Sequence, residues 1–269
     1  MLFDFSIDRG GTFTDIYCEI TDQDKKTKFS KVMKLLSVDP QNYKDAPTEG
    51  IRRVLSEYAG SGEIGRDVKI PTAQIRSIRM GTTVATNALL ERKGDRVALL
   101  ISEGLRDTLE IGNQSRPKIF DLEIKKPLPV YERILEISER IRPVFSGEDI
   151  SSTDGIIEGA NGQKYVVLKK PDLAKVEQDL NALKAEGEIT SLSIVLMHSY
   201  AFTEHETAIE ELAKKVGFQQ VSVSSKVMPR VKLVKRGQTC CVDAYLNPHI
   251  FRYLTGFVHG FDEHLMEKV

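Results

Sequence analysis

Hydrophobic and polar residues alternate at the start of the chain and predict a β-strand over residues 2–8. The apolar members of the alternation are Phe3, Phe5 and Ile7, and the polar members are Asp4, Ser6 and Asp8. Residues 13–20 and 28–36 have the same strand character, and the RGGT sequence before the second strand is typical of a tight turn. The pattern therefore predicts a three-stranded antiparallel meander.

A helical period follows the meander. Apolar residues recur with spacings of three and four after Pro47 and Thr48, which are helix-start signals; they are Ile51, Val54, Leu55 and Tyr58. A short strand over 77–81, a helix over 84–93 ending at Gly94, and a buried strand over 96–102 come next. The order βββαβαβ predicts an α/β fold of the ribonuclease-H-like type, with an antiparallel edge to its sheet.

The rest of the chain predicts a second α/β run. Residues 134–141 have strand character, and residues 145–164 read as an exposed loop or insertion. The run then continues with a helix from 173 to 183, a strand over 192–197, a helix over 208–216 and a strand over 221–224. We expect these elements to pack on the first sheet or to extend it.

Composition excludes several classes of function. The 269 residues are 41% hydrophobic and 29% charged, and the net charge of −1 has no long block of one sign behind it. These values do not indicate a partner among nucleic acids or anionic membranes. No apolar run approaches the roughly 18 residues of a membrane-spanning helix. Three cysteines give no disulfide framework, so we expect a reduced, cytoplasmic protein.

The stretch SIDRGGTFTD, residues 6–15, contains the first candidate site. Two successive glycines are explained by a plain hairpin turn, in which glycine tolerates positive φ. A phosphate-binding hairpin also explains the carboxylates and threonines around them. In that hypothesis Gly10, Gly11 and Thr12 supply donors to phosphate oxygens, and Asp8 holds a hydrated Mg²⁺. Both explanations stay open on residue types alone.

The second candidate segment is MGTTVATNALL, residues 80–90. It places four small polar side chains where a helix begins: Thr82, Thr83, Thr86 and Asn87. A helix start offers unpaired N–H groups to an anion or a carbonyl, whereas ordinary capping needs only one such residue. The location after a strand favours a site.

Other candidates are weaker. The letters GSGEIG at 60–65 match a dinucleotide fingerprint but follow a helix instead of a strand, so we interpret them as a loop. The sequence has no P-loop motif. His198 and His205 are expected to pack or to cap, and Arg230 and Arg236 are expected to be solvated.

Three long segments together resemble the hydantoinase A/5-oxoprolinase family. They are SIDRGGTFTD, then MGTTVATNALLERKG with RVALLISEGLRD, and finally VKRGQTCCVDAYLNPHIFRYLTGF. Two more, DAPTEGIRRVL and SLSIVLMHSYAFTEHE, favour the eukaryotic-type 5-oxoprolinase branch. The resemblance covers nearly the whole chain in the right order. It implies the two-lobed ATPase fold of the acetate-kinase, sugar-kinase and actin superfamily.

The resemblance also implies a reaction. Family members of this branch open the lactam of 5-oxo-L-proline to L-glutamate while ATP is hydrolysed to ADP and phosphate. ATP, Mg²⁺ and 5-oxo-L-proline are therefore the expected ligands, and the full-length enzyme is expected to be a homo-oligomer. An amide carbonyl is a poor electrophile, and phosphoryl transfer to its oxygen would create a good leaving group.

The family's roles fall on positions that match its motifs. Asp8 corresponds to the metal and catalytic position, and Gly10, Gly11 and Thr12 correspond to the phosphate hairpin, with Thr14 and Asp15 in its shell. The segment after the fourth strand matches family positions expected beside the substrate and the transferred phosphoryl group. The resemblance implies catalytic roles for Thr83 and Asn87, and substrate-binding roles for Thr82 and Thr86.

The chain departs from the family in length. Residues 1–230 correspond to its N-terminal region, and 231–269 to the start of its ATPase second half. A second phosphate segment of the GG-P-A-GG type does not occur, so we expect these residues alone to be inactive and to need the missing C-terminal part.

Two alternatives stay open. One is another activity of the family, an ATP-dependent N-methylhydantoinase or a carboxylase-type subunit. The other is a non-catalytic assembly module whose surface would be the apolar residues of the last segment: Tyr245, Leu246, Ile250, Phe251, Leu254, Phe257 and Phe261.

Overall fold

The computed structural model describes residues 1–24, 26–60, 62–113, 120–123, 126–151, 153–262 and 265. The chain divides into two compact units. Unit 1 consists of Met1–Lys93 and His249–Val269, and unit 2 of Gly94–Pro248. The division predicted at residue 230 separates two regions of the longer family enzymes. It is a different kind of boundary from that between the compact units, and it stays a prediction.

A four-stranded sheet forms the centre of unit 1. Its strands are β1 (Leu2–Arg9), β2 (Phe13–Asp22), β3 (Thr27–Leu36) and β4 (Ile75–Thr82), in the order β3-β2-β1-β4. Strands β1, β2 and β3 pair antiparallel, and β4 pairs parallel to β1. The predicted meander is confirmed, because alternation puts Phe3, Phe5 and Ile7 on one buried face.

Helix α1 (Ala46–Tyr58) packs on that buried face with Ile51, Val54 and Leu55. It starts earlier than its hydrophobic period predicts because Asp45 caps it, accepting a hydrogen bond from the Thr48 backbone N–H at 3.0 Å. Phe257, Phe261 and Leu265 complete the same core. Together these contacts give the first sheet one apolar side.

The other side of the first sheet is polar, and we call it the open face. It carries, in register across the four strands, Asp4, Ser6, Asp8, Asp15, Tyr17, Glu19, Lys28, Val32, Lys34, Arg79 and Gly81. Tyr17 and Val32 are 44% and 69% exposed there. The end of β1 that carries Asp8 therefore faces solvent.

Helix α2 (Val84–Leu90) follows β4 directly, with Thr83 as its N-cap. The sequence pattern predicted a helix continuing to Lys93. The structure ends it three residues sooner, because Arg92 adopts a left-handed backbone with φ of 56° and the helix cannot continue through it.

Unit 2 contains a second, fully parallel sheet. Its strands are β5 (Val97–Ser102), β6 (Tyr131–Ile137), β10 (Ser191–Val195) and β11 (Gln220–Val223), in the order β11-β10-β5-β6. Every residue of β5 and β10 is buried, as expected for a sheet covered on both faces. The strand over 96–102, predicted as the last of the first run, lies in this second sheet as β5, so the second run pairs with β5 and does not extend the first sheet.

A small antiparallel sheet lies in the middle of unit 2. It consists of β7 (Arg140–Pro143), β8 (Ile156–Glu158) and β9 (Lys164–Lys169), in the order β7-β9-β8. The strand predicted over 134–141 is therefore two strands, β6 and β7, in different sheets. The stretch 145–164, predicted as a loop, contains β8 and the first residue of β9.

The helices of unit 2 are α3 (Thr108–Ile111), α4 (Leu173–Ala185), α5 (Glu204–Val216), α6 (Ser224–Val227) and α7 (Leu233–Val258), and α7 continues into unit 1. Helices α4 and α5 confirm the predicted ones. Within the described residues, none of the helices combines the length and the apolar character that crossing a bilayer requires.

Arg236 on α7 is buried, so its predicted solvation is wrong. Only 1% of its surface is exposed. Its guanidinium donates to Ser224 Oγ at 3.0 Å and to the backbone carbonyl oxygens of Arg230 and Leu196 at 3.0 and 2.6 Å. These acceptors, together with the nearby Glu206 carboxylate, offset the cost of burying the cation.

Gly94 marks a point of close packing in unit 2. A Cβ atom added there would lie 2.2 Å from the ring of Tyr245, which is itself only 7% exposed. We expect Gly94→Ala to lower the free energy of unfolding by about 1–3 kcal/mol, because the buried ring must move. Gly256→Ala is the control, since a Cβ at that helical position meets no atom within 4 Å. Urea titration would check both, and an equal effect would contradict the packing argument.

Candidate functional site

The turn between β1 and β2 is built by hydrogen bonds at its base. The Gly10 N–H donates to the Phe13 carbonyl oxygen at 3.0 Å, and the Ser37 N–H donates to the Thr12 carbonyl oxygen at 2.9 Å. Ser37 Oγ donates to the Gly10 carbonyl oxygen at 2.7 Å. Within the described part of the chain, the N–H groups of Gly11 and Thr12 have no acceptor. The turn therefore presents two free backbone donors to solvent.

The two residues after the turn are already engaged. Thr14 is fully buried, and its hydroxyl lies 3.0 Å from Ser37 Oγ, so it ties the turn to the end of β3. Asp15 is exposed and pairs with the Lys34 ammonium at 2.9 Å. Both residues shape the surroundings of the turn, and their predicted place in its shell stays a prediction.

Asp8 ends the open face of β1. Its side chain is exposed, and the described residues provide it with no hydrogen-bond or ionic partner. It lies opposite Gly81 of β4, where an added Cβ would be 3.8 Å from Asp8 Oδ1, so space is left in front of the carboxylate. Among the described residues no cluster of three or more metal-ligating side chains exists. A single carboxylate fits Mg²⁺, which keeps several waters and binds through one or two carboxylates together with phosphate oxygens.

The structure brings the second candidate segment to the turn. The Thr83 N–H donates to the Arg9 carbonyl oxygen at 3.2 Å, and Asn87 Nδ2 donates to Thr83 Oγ1 at 3.2 Å. An added Cβ on Gly11 would lie 3.1 Å from Asn87 Nδ2, so the two segments are in close contact. Glycine at this position allows the amide side chain and the turn to approach each other.

The three threonines differ in their surroundings. Thr82, Thr83 and Thr86 are all exposed. Thr82 Oγ1 accepts a hydrogen bond from the Val84 N–H at 3.2 Å, and Thr83 is the N-cap without a capping bond from its own side chain. The Thr83 hydroxyl therefore accepts the Asn87 hydrogen bond instead of capping the helix, and the Thr86 side chain is exposed in the first turn of α2.

An open groove of about 560 Å³ lies on the open face in front of Asp8. Asp8, Asp15 and Gly81 line one end of it, and Ser6, Tyr17, Val32 and Arg79 continue it along the sheet. Ser37 and Arg79 were not among the site residues predicted from the sequence. Arg79 could have been found, because it alternates with Gly81 on β4 and so falls on the same face as Asp8.

The chain matches known proteins along most of its length. The family model of the hydantoinase/oxoprolinase N-terminal region matches residues 4–217. The 5-oxoprolinase 1 of Arabidopsis thaliana is 51% identical over 262 residues, which make up 97% of this chain and 20% of that protein. The 5-oxoprolinase of Dictyostelium discoideum is 47% identical over 266 residues, again 97% of this chain and 20% of that protein.

A solved structure shares the fold. The ATP-dependent caprolactamase from Pseudomonas jessenii superposes with a TM-score of 0.67 and 22% sequence identity, covering 98% of this chain and 34% of the caprolactamase chain. The likeness establishes a mixed α/β fold; the finer ribonuclease-H-like assignment stays a prediction. The chain spans about one fifth of the length of the curated relatives that it matches.

Proposed function

Because the chain belongs to the hydantoinase/oxoprolinase family, we propose that it is part of an ATP-dependent 5-oxoprolinase. The reaction opens the lactam ring of 5-oxo-L-proline to give L-glutamate and hydrolyses ATP to ADP and phosphate. The observation that carries the proposal is the 51% identity to a 5-oxoprolinase over 97% of the chain. The turn supports it, because its free donors follow within four residues of the Asp8 carboxylate, which lines the groove.

The turn and Asp8 fit a magnesium nucleotide. The Gly11 and Thr12 N–H groups are donors suited to phosphate oxygens, and the Asp8 carboxylate is suited to Mg²⁺. Bound there, Mg²⁺ would neutralise charge on the phosphates. Asp8 would hold the metal's position, and the two amides would orient the phosphate end of the nucleotide.

The segment after β4 would act on the other reactant. Asn87 is held against the turn by its hydrogen bond to Thr83 and by its contact with Gly11. Thr83 and Asn87 would therefore position the lactam carbonyl next to the phosphate end, and the exposed Thr82 and Thr86 hydroxyls would bind the substrate. Such positioning converts an encounter of two molecules into a reaction within one complex.

The whole reaction is proposed for a longer polypeptide. One fifth of a relative's length supplies one side of the cleft, and the remaining length would supply the adenosine side and further substrate contacts. We propose that the full-length enzyme is a homo-oligomer acting in the cytoplasm, where the free thiols of Cys18, Cys240 and Cys241 would stay reduced. These 269 residues alone should show no ATP hydrolysis that depends on 5-oxo-L-proline.

A chimera tests the proposal. The 269 residues would replace the matching fifth of Arabidopsis 5-oxoprolinase 1, and ATP hydrolysis would be measured with and without 5-oxo-L-proline. We expect substrate-dependent release of ADP, phosphate and L-glutamate within about tenfold of the parent enzyme, since half of the exchanged residues are identical.

The chimera's outcomes separate the alternatives. A well-folded chimera that hydrolyses ATP with N-methylhydantoin, and not with 5-oxo-L-proline, would assign the chain to another activity of the family. A folded chimera inactive with both substrates would contradict the proposal. The parent enzyme carrying its own sequence is the positive control.

A further inference from the structure

Charged side chains on the open face mostly pair with one another. Asp15 pairs with Lys34 at 2.9 Å, and Glu19 with Lys28 at 3.0 Å. Asp4 pairs with Arg76, which sits at the β-bulge of β4, and also accepts a hydrogen bond from Ser77 Oγ at 2.7 Å. The Arg76 hydrogen bond holds the pKa of the Asp4 carboxyl below its ordinary value. These three carboxylates are therefore engaged.

Asp8 and Arg79 are the exceptions. In the part of the chain that the structure describes, neither has a hydrogen bond or a salt bridge, although both line the groove. Arg79 does attract the Asp4 carboxylate at longer range, which helps to lower the pKa of Asp4. Ser6 is the register partner of Arg79, and Gly81 is the partner of Asp8, so the two charges are offset by two residues on neighbouring strands. From strand spacing, their Cα atoms are about 8 Å apart. Opposite charges thus share a groove with room for a small molecule between them.

The floor of the groove is mixed. The Ser6 hydroxyl of β1 lies beside Arg79, while the Tyr17 ring on β2 and the Val32 side chain on β3 continue the groove as exposed apolar surface on the far side of β1. A small ring with CH₂ groups would cover this apolar surface. A carboxylate on that ring would suit Arg79, whose planar guanidinium binds carboxylates through two parallel hydrogen bonds.

We propose that Arg79 binds the carboxylate of a carboxylated cyclic amide that lies in the groove with its amide end toward Asp8. The inference rests on the proposed function, because that function supplies the chemical class of the ligand and the metal at Asp8. Arg79 then selects lactams that carry a carboxylate over those that do not. The lactam oxygen of such a ligand points to the end of the groove where Gly81 leaves space beside Asp8.

Binding to the full 269-residue chain tests the inference. Isothermal titration calorimetry would use 5-oxo-L-proline, the carboxylate-free lactam 2-pyrrolidinone, inorganic phosphate and ATP with Mg²⁺. We expect the unchanged chain to bind 5-oxo-L-proline with a Kd of the order of 1 mM. Arg79→Gln should weaken that binding about tenfold or more, since a charge-assisted pair is lost, and Arg79→Lys should restore part of it.

Matched controls isolate the carboxylate contact. Arg53→Gln removes the same charge from helix α1, which packs on the other face of the sheet, and should leave the affinity unchanged. The weak binding of 2-pyrrolidinone should be the same in the Arg79→Gln variant as in the unchanged chain. Because Arg79 is exposed, thermal unfolding should also be unchanged, which would show that the variant is folded.

Several results would overturn the inference. Unchanged 5-oxo-L-proline affinity in Arg79→Gln would do so, and so would an equal loss of 2-pyrrolidinone binding. A loss confined to phosphate or to ATP with Mg²⁺ would assign Arg79 to the nucleotide. If the chain binds ATP with Mg²⁺ but not 5-oxo-L-proline, the inference fails while the proposed function survives. If it binds neither, the inference fails for this chain, and the activity of the chimera decides on the proposed function.

Discussion

Replacing Asp8 by Asn abolishes the Mg²⁺ dependence of ATP binding, which is the largest functional effect that we expect. Asp8 is the unpaired carboxylate at the free donors of Gly11 and Thr12, and an amide cannot supply the negative charge that holds a hydrated divalent cation. In the chimera, ATP hydrolysis driven by 5-oxo-L-proline should fall about 100-fold or more, as when a group that stabilises developing charge is lost. Calorimetry at varied Mg²⁺ and steady-state kinetics measure the two effects.

Glu19→Gln is the matched control for Asp8→Asn. It makes the same change from carboxylate to amide on the same open face, at a residue that pairs with Lys28 and does not line the groove. We expect it to leave ATP affinity and turnover within about twofold, because an exposed ion pair contributes little. Equal losses in both variants, or full Mg²⁺-dependent binding by Asp8→Asn, would show that Asp8 is not the metal position.

The largest stability effect is expected from Glu206→Ala in unit 2. Glu206 is fully buried, and its carboxylate accepts hydrogen bonds from the Leu196 N–H at 2.8 Å, Ser224 Oγ at 2.6 Å and the Ser225 N–H at 2.9 Å. Its removal leaves these donors without an acceptor and leaves buried Arg236 without its nearby negative charge. The free energy of unfolding should fall by about 3–5 kcal/mol.

Hydrogen exchange of the β10 amides and urea unfolding would measure this loss. Because the chain has two units, exchange at β10 reports on unit 2 directly, whereas a single unfolding midpoint averages over both. Glu204→Ala is the control: the residue is exposed in the first turn of the same helix, so its removal should cost less than about 1 kcal/mol. Comparable losses in the two variants would refute the buried-acceptor argument.

Local pattern was sufficient to predict most of the elements. The alternation around Phe3, Phe5 and Ile7 fixes which face of β1 is buried, and helix α4 follows its apolar spacing. Local pattern did not predict the sheet to which each strand belongs. Sheet membership depends on pairing between distant residues, such as Leu99 with Ser193, and nothing local to either strand encodes that partner.

Part of the candidate site was predictable from the local sequence pattern. A glycine pair flanked by a carboxylate and threonines indicates a phosphate-binding turn, and the structure leaves the Gly11 and Thr12 donors free. The bonds that shape the turn come from Ser37, which lies 27 residues from Gly10 in sequence. The burial of Arg236 could not be predicted either, because its acceptors belong to segments before helix α7.

The discontinuity of unit 1 has a consequence for biosynthesis. Phe257, Phe261 and Leu265 pack in the core of the first sheet, and the Thr72 N–H donates to Asp262 Oδ2 at 3.0 Å across 190 residues. A ribosome therefore has to translate all of unit 2 before these late residues can cover the strands made first. Throughout that interval the part of the apolar side that these late residues cover remains accessible to chaperones, and contacts of such long range also slow folding.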